Sequence, residues 1–178
     1  MLLSGKHIAI LVADGVEELE YFVPRMRLEE EGAEVISAAP GVDTVRGKNG
    51  LHIQPSARID TLYAGDLFAL VIPGGWAPDK LRRSVHVMNL VRDMNMAKKP
   101  IGIICHGGLV AISAGIVRGR QVTGSLGIKD DLVNAGGVWV DRPAFRDGNL
   151  VWGRIVADIP AFCRELVAAL SEAASQHG

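Results

Sequence analysis

The sequence predicts an α/β fold with a mainly parallel central sheet, and three observations support this prediction. Short apolar, β-branched runs typical of buried strands alternate with longer segments of helical periodicity. Glycines or proline–glycine turns end several of these runs. Of the 178 residues, 48% are hydrophobic and 22% are charged, which is typical of a globular protein. We therefore expect a single domain over residues 1–178.

The first half of the chain is predicted to form three strands, one helix and a set of short antiparallel segments. Continuous apolar runs predict buried strands. Helical spacing of apolar residues predicts a helix that ends at Gly32, and scattered glycines predict short antiparallel segments. In chain order these elements are a strand at 7–12, a helix at 18–31, a strand at 33–39, antiparallel segments within 43–59, and a strand at 67–72 that ends in Pro73-Gly74-Gly75.

The second half continues the alternation and ends in an amphipathic helix. Its predicted elements are a helix at 84–96, a strand at 101–104, a helix-like segment at 109–117, a short helix at 128–134, two strands at 138–140 and 150–152 paired around the turn 147–149, and a helix at 159–174. The chain shows no internal repeat, low-complexity tract or linker.

The most informative feature is Cys105, which directly follows the apolar strand 101–104 and precedes His106 and two glycines. A nucleophile at a sharp strand-to-helix turn stands above the sheet edge, with backbone N–H groups nearby. The helix that follows points its positive end at the sulfur, so we expect a lowered thiol pKa. Cys105 is therefore the candidate nucleophile.

Two acidic residues and a glycine are candidates to assist Cys105. Glu17 and Glu20 follow the first strand, at the carboxyl edge where open α/β sheets place their sites. Glu17 is expected to cap the helix and Glu20 to face inward, whereas Glu18 is assigned to helix stabilisation. The side chain of His106 should diverge from Cys105 unless the backbone is strained. A backbone N–H of the Pro73-Gly74-Gly75 turn, together with that of His106, could hold an oxyanion.

Composition and motifs exclude several function classes. A net charge of −1 argues against nucleic-acid or anionic-membrane partners, and no apolar run could span a bilayer. Cys105 and Cys163 make no disulfide framework, so we expect a cytoplasmic location with Cys105 reduced. The histidines lack metal-ligand spacing, and no phosphate-binding glycine loop occurs. We therefore expect the protein to bind neither a metal nor a cofactor. Cys163 is interpreted as a core residue.

Several motifs in a fixed order resemble the PfpI family of intracellular protease/amidase-like proteins, relatives of the parkinsonism-associated deglycase. They are Ala13-Asp14-Gly15-Val16-Glu17-Glu18-Leu19-Glu20 with Pro24, Val71-Ile72-Pro73-Gly74-Gly75 with Ala77-Pro78-Asp79, Ile104-Cys105-His106-Gly107, Ala114-Gly115 with Gly119-Arg120, and Gly127-Ile128-Lys129-Asp130-Asp131 with Asn134-Ala135-Gly136. The resemblance implies a flavodoxin-like α/β/α sandwich akin to class I glutamine amidotransferase domains.

The same resemblance implies the roles of the site residues. Cys105 is the nucleophile, Glu20 hydrogen-bonds its sulfur, and Gly75 and His106 match the oxyanion-hole positions. In hexameric members a carboxylate from an adjacent subunit completes the histidine, and Asp79 is the matching position. Where many members carry Tyr-Pro, this chain has Ser125-Leu126 and so lacks the phenol that lines their pocket.

Three functional hypotheses follow. The first is a cysteine-dependent, cofactor-independent enzyme that acts on a small-molecule carbonyl or amide (glyoxalase, deglycase, amidase or peptidase) in stress or carbonyl-damage response. The second is a redox-sensing stress protein or chaperone with an oxidisable Cys105. The third, a glutaminase-like partner subunit, is disfavoured because His177 is the only histidine after His106. We also expect a homo-oligomer (dimer, trimer or hexamer).

Overall fold

The computed structural model describes residues 1–176, which form one seven-stranded sheet and two small two-stranded sheets. The apolar runs of the sequence become the central strands because both faces of those strands are covered. The strands in chain order are β1 (His7–Leu11), β2 (Glu34–Ala39), β3 (Val45–Arg46), β4 (His52–Ile53), β5 (Ala57–Arg58), β6 (Ala69–Ile72), β7 (Ile101–Ile104), β8 (Gln121–Val122), β9 (Val138–Trp139), β10 (Ala144–Asp147) and β11 (Leu150–Gly153).

The large sheet has the strand order β10-β11-β7-β6-β1-β2-β5. Every neighbouring pair in it is parallel except β10 and β11, which form an antiparallel hairpin. Strands β6 and β7 are buried throughout, and β1 is buried after its first residue. Because β7, β6 and β1 are adjacent and parallel, the turns that follow them meet at one edge of the sheet.

The helices form two layers. Helix α1 packs on α6, which also contacts β10 and β11, while α4 packs on α2, α3 and α5. The helices are α1 (Glu18–Glu30), α2 (Ala77–Leu81), α3 (Val85–Met96), α4 (Gly108–Ala114), α5 (Lys129–Asn134) and α6 (Ile159–Gln176). The predicted α/β fold with a mainly parallel sheet is confirmed, and the arrangement is flavodoxin-like. In residues 1–176 no helix has the length and apolar character needed to cross a bilayer.

Two strand predictions are wrong. Residues 138–140 do not pair with 150–152: β9 instead pairs in parallel with β8, and β10 is the partner of β11. The real hairpin closes between Asp147 and Leu150 through a two-residue loop, the commonest hairpin connection. The antiparallel excursion within 43–59 is confirmed for β3 and β4, but β5 pairs in parallel with β2.

The helix after Cys105 is shorter than predicted. Helix α4 ends at Ala114 because Gly115 adopts a left-handed conformation with φ 74°. Pro24 does not interrupt α1, which continues through it to Glu30. The short helix α2 follows Trp76 and was not predicted from the sequence, because five residues show too little periodicity.

Candidate active site

Three turns at one sheet edge form the candidate active site. The turn after β1 leads into α1, the turn after β6 contains Gly74 and Gly75, and the turn after β7 contains Cys105 and His106. They enclose a cavity of about 260 Å³. Its lining residues are Glu17, Glu20, Lys48, Gly75, Trp76, Cys105, His106, Ile155, Val156 and Ala157.

Cys105 lies at a strained turn between β7 and α4. Its φ is 59°, and among the non-glycine residues of 1–176 only Lys98 shares a positive φ. A 3-10 turn at Cys105–Gly107 connects it to α4. Such a backbone conformation costs about 1–3 kcal/mol and is concentrated at functional sites. The sharp strand-to-helix turn predicted from the sequence is present, and the thiol is partly exposed to the cavity.

The strained backbone brings the side chains of Cys105 and His106 together. The Sγ atom of Cys105 lies 3.3 Å from Nδ1 of His106. Burial and, secondarily, the positive charge of Lys48 lower the pKa of His106 below its usual value. A neutral imidazole at pH 7 can accept a proton from the neighbouring thiol.

The two candidate glutamates sit at the start of α1. Glu17 is the N-cap residue, and its side chain accepts a hydrogen bond from the Leu19 N–H at 3.5 Å. Glu20 faces inward and is fully buried, and its Oε2 accepts a hydrogen bond from the Gly74 N–H at 2.7 Å. Its Oε1 is buried and has no hydrogen-bond partner in the part of the chain that the structure describes.

Glu20 and Cys105 interact strongly enough to shift each other's protonation. Burial raises the pKa of Glu20 to about 7. Burial and the Glu20 carboxylate raise the pKa of Cys105 to about 12, which the N–H groups of His106 and Gly75 only partly oppose. When Glu20 holds a proton the like charge disappears, so a thiolate forms most easily opposite a protonated Glu20.

The lowered thiol pKa expected from the helix is therefore wrong. Helix α4 begins only at Gly108 and has seven residues, so its N-terminal dipole is short. Burial of the thiol, followed by the charge of the neighbouring Glu20 carboxylate, raises the Cys105 pKa.

The turn after β6 must contain glycine. Gly75 has φ 74°, and a Cβ there would lie 2.4 Å from the Glu17 nitrogen and the Gly15 oxygen. A Cβ on Gly74 would lie 2.7 Å from Glu20 Oε2 and 2.8 Å from the His106 nitrogen. The two glycines thus let the chain pass between α1 and Cys105, and both the Gly75 and His106 N–H groups favour the thiolate.

Lys48 is a site residue that sequence reasoning missed. It lies in the turn between β3 and β4, and its Nζ is 2.8 Å from Glu17 Oε2. Buried Glu18 holds this turn by accepting hydrogen bonds from Asn49 N at 2.7 Å, Asn49 Nδ2 at 2.8 Å and Leu51 N at 3.3 Å. Glu18 was assigned to helix stabilisation, and the structure shows that its carboxylate holds the turn that contains Lys48. The flanking glycines indicated a turn, but they did not indicate that this turn would reach the candidate active site.

Asp79 is not brought into the cavity of its own chain. It lies on α2, its side chain is 61% exposed, and it forms an ion pair with Arg83. Its contribution across a subunit interface stays a prediction. His177, on which the glutaminase hypothesis depends, lies outside the described residues. In residues 1–176 no cluster of three or more His, Cys, Asp or Glu side chains could hold a metal ion.

Comparison with known proteins identifies the family. The DJ-1/PfpI family profile matches residues 6–169. The chain belongs to the DJ-1/PfpI family. A deglycase from Pyrococcus horikoshii is 41% identical to this DJ-1/PfpI protein over 160 residues, which are 90% of this chain and 96% of the relative. General stress protein 18 of Bacillus subtilis is 38% identical over 172 residues, 94% of this chain and 99% of the relative.

Solved structures of DJ-1/PfpI proteins share the fold. The DJ-1/ThiJ/PfpI-like part of a two-domain protein from Anabaena variabilis, which also has a ferritin-like domain, superposes with a TM-score of 0.91 at 34% identity. That match covers 93% of this chain and 48% of the Anabaena chain. The names of the relatives support an enzyme-like role for the family in general.

Proposed function

We propose that this protein is a cofactor-independent, cysteine-dependent enzyme of the glyoxalase/deglycase type that acts on a small carbonyl substrate. The observation that carries the proposal is the strained position of Cys105 in an open cavity, with Glu20 beside the thiol and His106 Nδ1 at 3.3 Å from its sulfur. A cavity of about 260 Å³ is below the usual ~300–1,000 Å³ of small-molecule sites, which favours a small reacting group.

The first chemical step is addition of the sulfur to the carbonyl carbon. The thiol proton passes to His106 or Glu20, a C–S bond forms, and the carbonyl π electrons move to the oxygen. The N–H groups of Gly75 and His106 both favour negative charge on the sulfur, which supports their assignment as donors to the oxyanion.

For a 2-oxoaldehyde the remaining steps need only a base and water. Glu20 or His106 moves the proton of the former aldehyde carbon to the adjacent carbon, which gives a thioester of a 2-hydroxy acid. Water then hydrolyses the thioester, releasing the acid and restoring the thiol. The sum is addition of one water to the 2-oxoaldehyde, with no external oxidant or reductant.

A substrate panel tests the proposal. We expect the purified protein, without added cofactor, to convert methylglyoxal to lactate, followed by proton NMR. Sulfur addition to a carbonyl begins deglycase and amidase reactions as well. The panel therefore includes glycated amines, which report deglycase activity, and chromogenic amides, which report amidase activity. A panel in which no compound is consumed above the protein-free rate would contradict the proposal.

Redox sensing is the second candidate, favoured by the unpartnered Oε1 of Glu20 beside a partly exposed thiol and by similarity to a general stress protein. Each peroxide molecule would transfer one oxygen to the Cys105 sulfur and leave as water, giving first a sulfenic and then a sulfinic acid. Protonated Glu20 could donate a hydrogen bond to the sulfinate.

Intact mass after mild peroxide treatment separates the two candidates. A sensor should gain the mass of two oxygen atoms in the wild type and not in Cys105→Ser, and should turn over nothing in the panel. Rapid turnover of methylglyoxal together with resistance to peroxide would reject the sensor hypothesis.

A further inference from the structure

A second cavity lies beside the candidate active site. Its volume is about 400 Å³, larger than the 260 Å³ around Cys105. Apart from Gly124, its lining residues are Ser125, Leu126, Trp139, Asp141, Arg154 and Ile155. None of the mechanistic steps above uses this cavity.

The two cavities are neighbours around the nucleophile. Ile155 lines both of them. The Ser125 N–H donates a hydrogen bond to the carbonyl oxygen of Cys105 at 3.4 Å. A Cβ built on Gly127 would lie 3.5 Å from His106 Nε2, so the turn that lines the second cavity also contacts the catalytic candidate His106. The two cavities therefore adjoin at Ile155.

The arginine of the second cavity is already paired with carboxylates. Arg154 donates to Asp158 through Nε at 2.9 Å and Nη2 at 3.2 Å, and to Asp141 through Nη1 at 2.8 Å. A guanidinium with two carboxylate partners offers little attraction to an anionic ligand.

Apart from Ser125 and Gly124, the remaining residues that line the cavity are apolar. Leu126 is 74% exposed, and Ile155 is also among the exposed large hydrophobic residues. Trp139 adds an aromatic side chain that is only partly buried. The part of the lining formed by these three side chains suits an uncharged apolar ligand group. Leu126 and Ser125 stand where the family resemblance places Tyr-Pro, so this lining is a property of this chain.

We infer that the second cavity is a substrate subsite for an uncharged apolar substituent, aromatic or branched aliphatic, attached to the carbonyl that meets Cys105. The inference rests on the proposed function for its reacting centre. The two cavities together reach the size of a small-molecule site, whereas the first alone holds little more than the reacting carbonyl.

Selective alkylation of Cys105 tests the subsite without requiring turnover. Phenacyl bromide and bromoacetone both alkylate a thiolate with loss of bromide, and they differ only in a phenyl or methyl group on the ketone. The ratio of their second-order rate constants is measured by intact mass in wild type, Trp139→Ala and Tyr63→Ala. The last variant is the matched control, because Tyr63 is an exposed aromatic residue that lines neither cavity.

We expect Trp139→Ala to lower the phenacyl-to-acetonyl ratio about tenfold, the usual order for losing one apolar pocket contact, while Tyr63→Ala leaves it unchanged. Leu126→Ala, at an exposed position, should lower the ratio in the same direction if Trp139→Ala fails to fold. An unchanged ratio in the folded cavity variants, or a Cys105 that neither reagent labels, overturns the subsite.

Methylglyoxal turnover by the wild type separates this inference from the proposed function. A ratio that falls in the cavity variants without any methylglyoxal turnover would leave the subsite standing and reject the enzymatic reaction. Methylglyoxal turnover with an unchanged ratio would support the enzymatic reaction and reject the subsite.

Discussion

Replacing Cys105 with alanine should lower kcat/KM for methylglyoxal by at least about a thousand-fold, because no other group can form the covalent intermediate. The partly exposed thiol lies in the cavity and at 3.3 Å from His106 Nδ1. Alanine removes the sulfur atom that bonds to the substrate. Neither Lys48, which is paired with Glu17, nor His106 can replace Cys105 as the nucleophile. Steady-state kinetics with folded protein, checked by circular dichroism, measure the loss.

Cys163→Ser is the matched control for the nucleophile. Cys163 is 6% exposed on α6 and belongs to the hydrophobic core, and burial raises the pKa of its thiol to about 11. We expect this variant to keep its activity and the Cys105→Ala variant to lose it. Residual activity above about a tenth of the wild type in Cys105→Ala would reject a covalent mechanism at this residue.

The part of the site that follows the sheet could be read from the sequence. Cys105 comes directly after a strand, Gly75 lies in the turn after another, and Glu20 lies in the first turn of the helix that follows a third; parallel strands of this kind put their carboxyl ends at one edge. What the sequence could not give was the strand order that makes β7, β6 and β1 neighbours, since that depends on contacts between distant segments. The resemblance to a known family implied a flavodoxin-like sandwich, and the structure shows the order of its strands.

The part of the site outside the sheet could not be predicted. Lys48 reaches the cavity because Glu18 binds Asn49 and Leu51, contacts between residues more than thirty positions apart. Ile155 enters from the loop after β11. Similarly, β8 and β9 have two residues each, too few to show a strand period, so β8 was not predicted and β9 was assigned to the wrong partner.

The direction of the Cys105 pKa shift depends on how deeply the thiol and its neighbours are buried rather than on the order of residues in the sequence. A helix N-terminus after the cysteine was visible in the sequence, and it predicts a more acidic thiol. The full burial of Glu20 was not visible, and its carboxyl group lies beside the sulfur as a second acid. Motifs identify which groups meet, but burial decides which of them holds the proton.

Glu20→Gln should lower kcat/KM about a hundred-fold or more, because glutamine cannot carry the proton between the two substrate carbons. Since burial raises the pKa of Glu20 to about 7, wild-type kcat/KM should rise with pH through about pH 7 as the carboxylate base forms. That rise should be absent in the variant. Glu34→Gln, at an exposed position on β2, is the control and should leave both rate and pH profile unchanged.

Thiol reactivity should move in the opposite direction from turnover in Glu20→Gln. The Glu20 carboxylate raises the pKa of Cys105, so an uncharged glutamine should lower that pKa and speed alkylation by iodoacetamide at pH 7 several-fold, by about tenfold per pKa unit. Lys48→Met should slow alkylation, because it removes a positive charge near the sulfur and leaves the Glu17 carboxylate unpaired. If alkylation instead slows together with turnover in Glu20→Gln, Glu20 acts by supporting the thiolate and the base in the later step must be His106.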